Sequence, residues 1–231
     1  SSASAAATDV TTTDGHVISA SNGDGIDVDM QGSGDVEVSN DATINSGTAV
    51  HTLLDGIDVN SFGTGNITIE NSGAIGTAGD RAQATAINGA INNVSASGNV
   101  SISGTGDIFA VAEGIDVSAN GTGSAYVAYD GDIDTTTGQS IQVDTRSGAI
   151  TVITGGAINA SASHGIDTTS TTGNQEITVN GAVNGGLDGV FAVSTSGTIA
   201  VTVNGGNVTG DDETVEEGSN ASKTATLAAG C

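Results

Sequence analysis

The sequence predicts an all-β protein, and more narrowly a three-sided parallel β-helix, or β-solenoid, of about seven coils. A tetrapeptide recurs at intervals that are typical of solenoids, and alternating apolar residues follow each copy. The composition agrees, because 36 of the 231 residues are Gly, none is Pro, and only 2% are aromatic. Small and β-branched residues suit a narrow, repetitive core better than a globular core, which usually buries aromatic side chains.

The first strand of each coil is marked by Gly-Ile-Asp-Val or a variant of it. The copies stand at 25–28, 56–59, 83–86, 114–117, 140–143, 165–168 and 189–192. The copy at 83–86, Gln-Ala-Thr-Ala, is the most degenerate. Neighbouring copies lie roughly 24 to 31 residues apart, which is a repeat length typical of solenoid proteins.

Two further strands complete each coil. The second carries an alternating apolar pair, at Val36/Val38, Ile67/Ile69, Val100/Ile102, Ala125/Val127, Ile150/Val152, Ile177/Val179 and Ile199/Val201. The third is shorter and contains Ile44, Ile75, Ile108, Ile133, Ile158, Val183 or Val208. Period-two alternation puts these residues on one face of each strand, so that stacked coils form inner apolar columns. Gly and Asn between the strands provide the turns.

Three segments are predicted along the chain. Residues 1–22 form an N-terminal partial coil, 23–210 the solenoid repeats, and 211–231 an acidic and then Thr/Ala-rich C-terminal segment. Neither end carries an amphipathic capping helix, so we expect strand edges that can pair with another chain. The alternatives are capping by irregular loops and continuation in a longer protein.

One insertion of about six residues is expected between the first and second strands of the third coil, within 87–97. A loop that protrudes from a regular solenoid is a candidate interaction site, and its polar side chains are Asn88, Asn92 and Asn93. The alternative is a tolerated insertion without a role, because lengthening a surface loop costs little free energy.

The charge of the chain excludes several classes of partner. With 27 acidic and 3 basic residues, the formal net charge is −24. Nucleic-acid binding needs basic patches that neutralise phosphates, and anionic membrane surfaces attract basic segments. No window reaches the roughly 18 apolar residues of a membrane helix. We therefore expect neither nucleic-acid binding nor membrane insertion by this chain.

An acidic column is predicted on the outside of the first strands. Stacking aligns Asp27, Asp58, Asp116 and Asp167, and three further acidic residues, Asp24, Asp55 and Glu113, precede the tetrapeptide glycines. Carboxylates about 4.8 Å apart repel one another, so Ca²⁺ bridging between coils is one hypothesis. The alternative is a solvated acidic face that keeps the protein soluble. Thr85 and Gln142 are expected to interrupt the column.

Residues 56–59 followed by 65–75 (Gly-Asn-Ile-Thr-Ile-Glu-Asn-Ser-Gly-Ala-Ile) resemble the repeats of bacterial autotransporter passenger domains. These are right-handed parallel β-helices of the filamentous-haemagglutinin and adhesin type. The resemblance covers about residues 23–210. It implies secretion from a Gram-negative cell, display at the cell surface and adhesion to a host-surface or cell-surface ligand. The family's translocator domain does not follow, so we expect a passenger fragment or a stand-alone secreted solenoid.

The expected function is therefore that of a non-enzymatic, extracellular structural or adhesive protein. One alternative is a self-assembling extracellular filament subunit, joined end to end by strand addition. A second, weakly supported alternative is a carbohydrate-active enzyme, which would use paired carboxylates along an aromatic-lined groove. Against it, the chain has no Trp and only three basic residues, and His16, His51 and His164 lack the spacing of metal ligands.

Overall fold

The computed structural model describes residues 7–20, 22–47, 52–211, 215–217 and 223–227. All the regular secondary structure in this part of the chain is β-strand. Consequently, the described residues contain no helix that could cross a membrane.

The described residues form twenty-four short strands, which alternate with turns. In chain order they are β1 (Thr8–Thr11), β2 (Val17–Ser19), β3 (Ile26–Met30), β4 (Val36–Asn40), β5 (Thr43–Asn45), β6 (Ile57–Ser61), β7 (Ile67–Asn71), β8 (Ile87–Ile91), β9 (Val100–Gly104), β10 (Ile108–Ala110), β11 (Ile115–Ala119), β12 (Ala125–Tyr129), β13 (Ile133–Thr135), β14 (Ile141–Thr145), β15 (Ile150–Thr154), β16 (Ile158–Ala160), β17 (Ile166–Ser170), β18 (Gln175–Val179), β19 (Val183–Gly185), β20 (Val190–Ser194), β21 (Ile199–Val203), β22 (Val208–Gly210), β23 (Val215–Glu217) and β24 (Lys223–Leu227).

A typical coil contributes one strand to each of three faces, and all neighbouring strands within a face are parallel. The first face has eight strands, in the order β3-β6-β8-β11-β14-β17-β20-β23, and the second has nine, from β1 to β24. The third face contains β2-β5 and β10-β13-β16-β19-β22, with Ile75 bridging β5 and β10. The molecule is thus a β-solenoid of about eight turns, which confirms the predicted fold class.

The core consists of the inner apolar columns of the three faces. Ile57 and Val59 of β6 and Ile67 and Ile69 of β7 are fully buried, while the residues between them reach the outside. The glycine that opens the tetrapeptide is required by close packing at the corner. A Cβ on Gly56 would meet the Ile75 side chain and lie 2.5 Å from the carbonyl oxygen of Ala86.

The structure corrects the position of the third tetrapeptide copy. Ile57 of β6 pairs with Ile87, and Ile87 pairs with Ile115, so the true copy is 86–89 and the prediction of 83–86 was wrong. In this copy Ala86 stands in place of the usual Gly and Gly89 in place of the usual Val, so the tetrapeptide pattern is lost from the sequence. Gln83 and Ala84 instead lie in the turn before the strand, where their N–H groups bond to the carbonyl oxygens of Leu53 and Leu54.

The predicted interaction loop is correspondingly smaller. Asn88 lies within β8, not in a loop. The second strand starts 13 residues after the first in this coil but 10 residues after it in the coils on either side, so the predicted insertion exists but is about three residues long, not six. The turn that protrudes begins after Asn92, whose N–H bonds to the carbonyl oxygen of Ser61 in the coil below. It contains Asn93 and Val94, and Val94 is 62% exposed.

Most of the extra length of the early coils lies between the third and first faces. In the coil that contains Ile75, residues 76–86 make this connection. Asp80 accepts hydrogen bonds from the backbone and hydroxyl of Ser46, at 3.0 and 2.8 Å. Arg81 forms a 2.7 Å ion pair with Asp134, and its guanidinium lies 5.6 Å from the centre of the Phe109 ring. The connection at 76–86 therefore contacts coils on both sides of the coil to which it belongs.

Candidate functional site

The outer column of the first face contains carboxylates separated by amides. In register, it reads Asp27, Asp58, Asn88, Asp116, Gln142, Asp167 and Phe191. Only one pair in this run, Asp27 and Asp58, places carboxylates on directly neighbouring strands. Asn88, not Thr85, makes the interruption in the third coil. The expected column exists as an arrangement in space, but neutral amides break it twice.

The amides relieve repulsion by donating hydrogen bonds to the carboxylates. Asn88 Nδ2 donates to Asp58 Oδ1 at 2.6 Å, and Asn60 Nδ2 donates to the same oxygen at 2.9 Å. Gln142 Nε2 donates at 3.0 Å to Asp144, which lies in the neighbouring outer column. Hydrogen bonds to an ionised acceptor are stronger than neutral ones, so these contacts offset part of the repulsion between the outer carboxylates.

A compact acidic group lies at the start of the first face in two neighbouring coils. Asp24, Asp55 and Asp58 each place one carboxylate oxygen within 4.8 Å of the others. Asp24 Oδ1 accepts the backbone N–H of Asp55 at 3.1 Å, and Asp55 Oδ1 accepts that of Thr85 at 2.6 Å. Asp27 lies outside the group and is exposed. Of the seven predicted residues, the structure thus brings three together.

Burial raises the pKa of Asp55 to about 6. The N–H of Thr85 opposes this shift by stabilising the carboxylate, while the neighbouring Asp24 and Asp58 add to it. A pKa near 6 means that the group is only weakly ionised in mildly acidic solution and is charged at pH 7. A cation bound to the three carboxylates would relieve their repulsion in the charged state.

Glu113 and Asp116 form a second acidic pair, apart from the first group. Burial, followed by the charges of Asp144 and Glu113, raises the pKa of Asp116 to about 6. Asp116 Oδ1 is inaccessible to solvent and has no hydrogen-bond partner among the described residues. The carboxylate of Glu113 accepts a hydrogen bond of 3.3 Å from the Thr85 hydroxyl. Asp116 is therefore the acidic residue of this face whose ionised form is least well accommodated.

Asp167 has a different environment, which sequence reasoning missed. His164 Nδ1 lies 3.0 Å from Asp188 Oδ2, and its ring stacks on Phe191 with 4.8 Å between the ring centres. Burial raises the pKa of Asp167, while the Gln139 amide and His164 oppose the shift. The signal was present, since His164 precedes the glycine of Gly-Ile-Asp-Thr, the position held by Asp24, Asp55 and Glu113 in other coils.

The chemistry of the three-carboxylate group partly fits Ca²⁺. This ion takes six to eight oxygen ligands, so three aspartates would supply a minority and water or backbone the rest. Each aspartate also accepts a hydrogen bond from the next coil, and these bonds compete with a cation. Asp116, Asp167 and Glu113 lie outside the group, so a cation here would bridge only two coils.

The other two residues of the predicted interaction loop, Asn92 and Asn93, make hydrogen bonds within the solenoid. Asn92 Nδ2 donates to Asn60 Oδ1 at 3.3 Å, and Asn93 Oδ1 accepts the N–H of Ser95 at 2.9 Å. The apolar side chain of Val94 is exposed in the same turn.

Comparison with protein-family models, curated proteins and solved structures gave no match for this chain. The fold defines the class of the protein, a β-solenoid of stacked parallel coils.

Proposed function

We propose that this chain is the non-enzymatic, passenger-like body of a secreted bacterial surface protein, with a structural or adhesive role. The proposal rests on the observation that the described chain forms one continuous stack of coils. Three faces of parallel strands enclose inner columns of Ile, Val and Ala over the described turns, so chemical groups are left to the outer sides of these faces and to the turns. Such a body serves to display binding groups on its surface or to act as a spacer of fixed length.

The surface chemistry supports an extracellular location in this proposal. The net charge of −24 keeps long bodies apart and soluble. Carboxylates, hydroxyls and amides dominate the outer columns, and basic residues that would hold a nucleic acid or an acidic polymer are nearly lacking in the sequence. The resemblance of residues 56–75 to autotransporter passenger repeats points the same way.

The test is a binding assay with the purified chain immobilised on beads. Beads coated with the chain should adhere to host or bacterial cells, and soluble chain should compete. Beads coated with an unrelated protein of similar net charge are the control, because charge alone would give equal adhesion. No adhesion to any cell tested, together with turnover of a polysaccharide panel, would favour the enzymatic alternative.

A second candidate is a filament subunit joined end to end. Ile26, Val28 and Met30 of β3 remain 9% exposed, whereas their counterparts in β6 are almost fully buried. β3 has one strand neighbour among the described residues, so its other edge offers hydrogen-bonding groups. Electron microscopy over a range of concentrations tests this candidate: filaments should lengthen with concentration, and short rods of constant length would contradict it.

A further inference from the structure

The second face carries a depression of about 250 Å³. Residues that line it come from three neighbouring coils, and they include Ala149, Thr151, Asn174, Glu176, Thr198 and Ala200. Ligand pockets usually exceed roughly 300 Å³, so this depression suits one small ring and not a large ligand. It exists because Ala149 and Ala200 are short where neighbouring coils carry longer side chains.

Tyr126 does not line this depression but lies on the next strand, in register with Thr151, which does. It is 40% exposed, and Thr151 in turn pairs with Glu176. These residues point outward from adjacent strands about 4.8 Å apart. A tyrosine ring that stays exposed on a sheet otherwise rich in Thr, Ser and Glu offers a flat apolar surface, on which a ring of matching shape can stack.

Several polar groups around the depression have no side-chain partner among the described residues. Asn174 Oδ1 accepts the N–H of Thr198 at 2.9 Å, which leaves the Asn174 amide group for another partner. The hydroxyls of Thr151 and Thr198 and the carboxylate of Glu176 have no side-chain hydrogen bond among the described residues. The site therefore offers donors and acceptors together, next to one aromatic face.

We infer that this part of the second face binds a neutral sugar ring, with Tyr126 as the stacking surface. A pyranose has apolar C–H faces that pack on an aromatic ring, and an edge of hydroxyls that can both donate and accept. Glu176 and the net charge of −24 disfavour acidic sugars. A quaternary ammonium ion could also contact Tyr126, but it makes no hydrogen bonds and would not use the Thr and Asn groups.

This inference rests on the proposed adhesive function and names its ligand class. The site is open and shallow, and a single stacked ring contributes little, so binding of one sugar is weak, in the millimolar range of Kd. Adhesion would then arise from many chains on one surface, since linked weak sites bind far more tightly than each alone.

The tyrosine content of the chain gives the experiment its internal control. The sequence has two tyrosines, Tyr126 and the fully buried Tyr129, and no Trp. With ring-labelled tyrosine, NMR spectra should show two sets of ring signals. Titration with cellobiose, maltose, lactose or chitobiose should shift the Tyr126 signals in a saturable way, while the Tyr129 signals stay fixed.

Two variants and two control ligands decide the outcome. Tyr126→Ala should weaken sugar binding, followed by saturation-transfer NMR, by about fivefold or more. Phe62→Ala, which removes another exposed aromatic ring, should leave binding unchanged. Digalacturonic acid and choline should bind more weakly than the neutral sugars. Unshifted Tyr126 signals with every neutral sugar, tighter binding of choline, or full binding by Tyr126→Ala would each overturn the inference.

The adhesion assay separates failure of this inference from failure of the proposed function. Beads that carry Tyr126→Ala and adhere as strongly as wild type, without any sugar binding by either protein, would contradict the sugar site but keep the adhesive function. Wild-type beads that do not adhere would contradict the function itself, whatever the NMR titration shows.

Discussion

Asn71 Nδ2 donates a hydrogen bond of 2.8 Å to the hydroxyl of Tyr129, which lies 58 positions further along the chain. Both side chains are fully buried inside the second face. Gly104 lies between them, because it pairs with Asn71 on one side and with Tyr129 on the other. The tyrosine ring crosses the space that a side chain at Gly104 would fill, since a Cβ there would lie 2.7 Å from the ring.

The Tyr129 hydroxyl is therefore expected to matter for stability. It also donates a 2.6 Å hydrogen bond to the carbonyl oxygen of Gly106, so Tyr129→Phe removes two buried hydrogen bonds, although Asn71 Nδ2 keeps its bond to the Gly73 carbonyl. The free energy of unfolding, measured by urea denaturation, should fall by about 1–3 kcal/mol. Tyr126→Phe is the matched control and should change it by less than about 0.5 kcal/mol, because its hydroxyl is exposed. Equal effects would contradict this assignment.

Stability should rise as the pH falls from 7 towards 4. Asp55 and Asp116 have folded-state pKa values of about 6, above the ordinary value of 3.8. The folded protein therefore binds protons more tightly than the unfolded chain between these values, and the cost of burying the charges disappears as pH falls through 6. Melting temperatures measured from pH 4 to 8 should show this trend, and a maximum above pH 7 would contradict it.

Asp116→Asn should stabilise the protein at pH 7. The substitution removes a buried charge whose Oδ1 lacks a partner, and the two neighbouring outer positions, Asn88 and Gln142, already carry amides. An increase of about 1–2 kcal/mol in the free energy of unfolding is expected at pH 7, with little change at pH 4. Glu37→Gln alters the net charge equally at an exposed site and serves as the control. A loss of stability in Asp116→Asn at pH 7 would show that the carboxylate makes a needed contact.

Calcium should stabilise the protein through Asp24, Asp55 and Asp58. At a concentration several times its Kd, an ion that binds the folded state adds about 1 kcal/mol, or about 2–4 °C in Tm for a chain of this size. Millimolar CaCl₂ at pH 7.5 should raise Tm, EDTA should reverse the rise, and Asp55→Asn should abolish it. Glu37→Gln should keep the full response. A Tm that does not respond to Ca²⁺ would leave these carboxylates as a solvated acidic face.

Arg81→Ala should loosen the connection at 76–86. The guanidinium donates to Asp134 Oδ2 at 2.7 Å, to the Asp134 carbonyl at 2.8 Å and to the Ala110 carbonyl at 3.3 Å. Loss of these partly buried contacts should cost about 1–3 kcal/mol of unfolding free energy. Hydrogen exchange near residues 76–86 should increase at the same time. Arg146→Ala, at an exposed arginine, should have little effect, and equal effects would contradict the role of Arg81.

The sequence was sufficient to predict the three-strand coil, because period-two apolar residues and recurrent glycines report the inner columns directly. It failed where those signals are replaced, as in the third coil, whose Ala86 and Gly89 stand in register with Gly56 and Val59. In this coil the sequence predicts the tetrapeptide three residues too early and therefore overestimates the length of the protruding turn.

The candidate site was less predictable than the fold. Alternation showed that Asp58 points outward, but it could not show that this carboxylate approaches Asp24 and Asp55, which lie at the corner before the strand. That approach depends on corner geometry and side-chain torsions. The depression beside Tyr126 depends similarly on which residues are short in neighbouring coils, and this follows only once the register of the coils is known.

Because the later coils are nearly uniform in size, the solenoid can change in length by whole coils. Asn99 and Ser124 hold equivalent positions 25 residues apart, as do Asp107 and Asp132, and Asp132 and Ala157. Removing or duplicating one such unit would join a strand to a partner already compatible with it. The body would then grow or shrink in steps of about 4.8 Å while its cross-section stayed the same. Duplication of a repeat within the gene would therefore lengthen the molecule without requiring a new arrangement of core side chains.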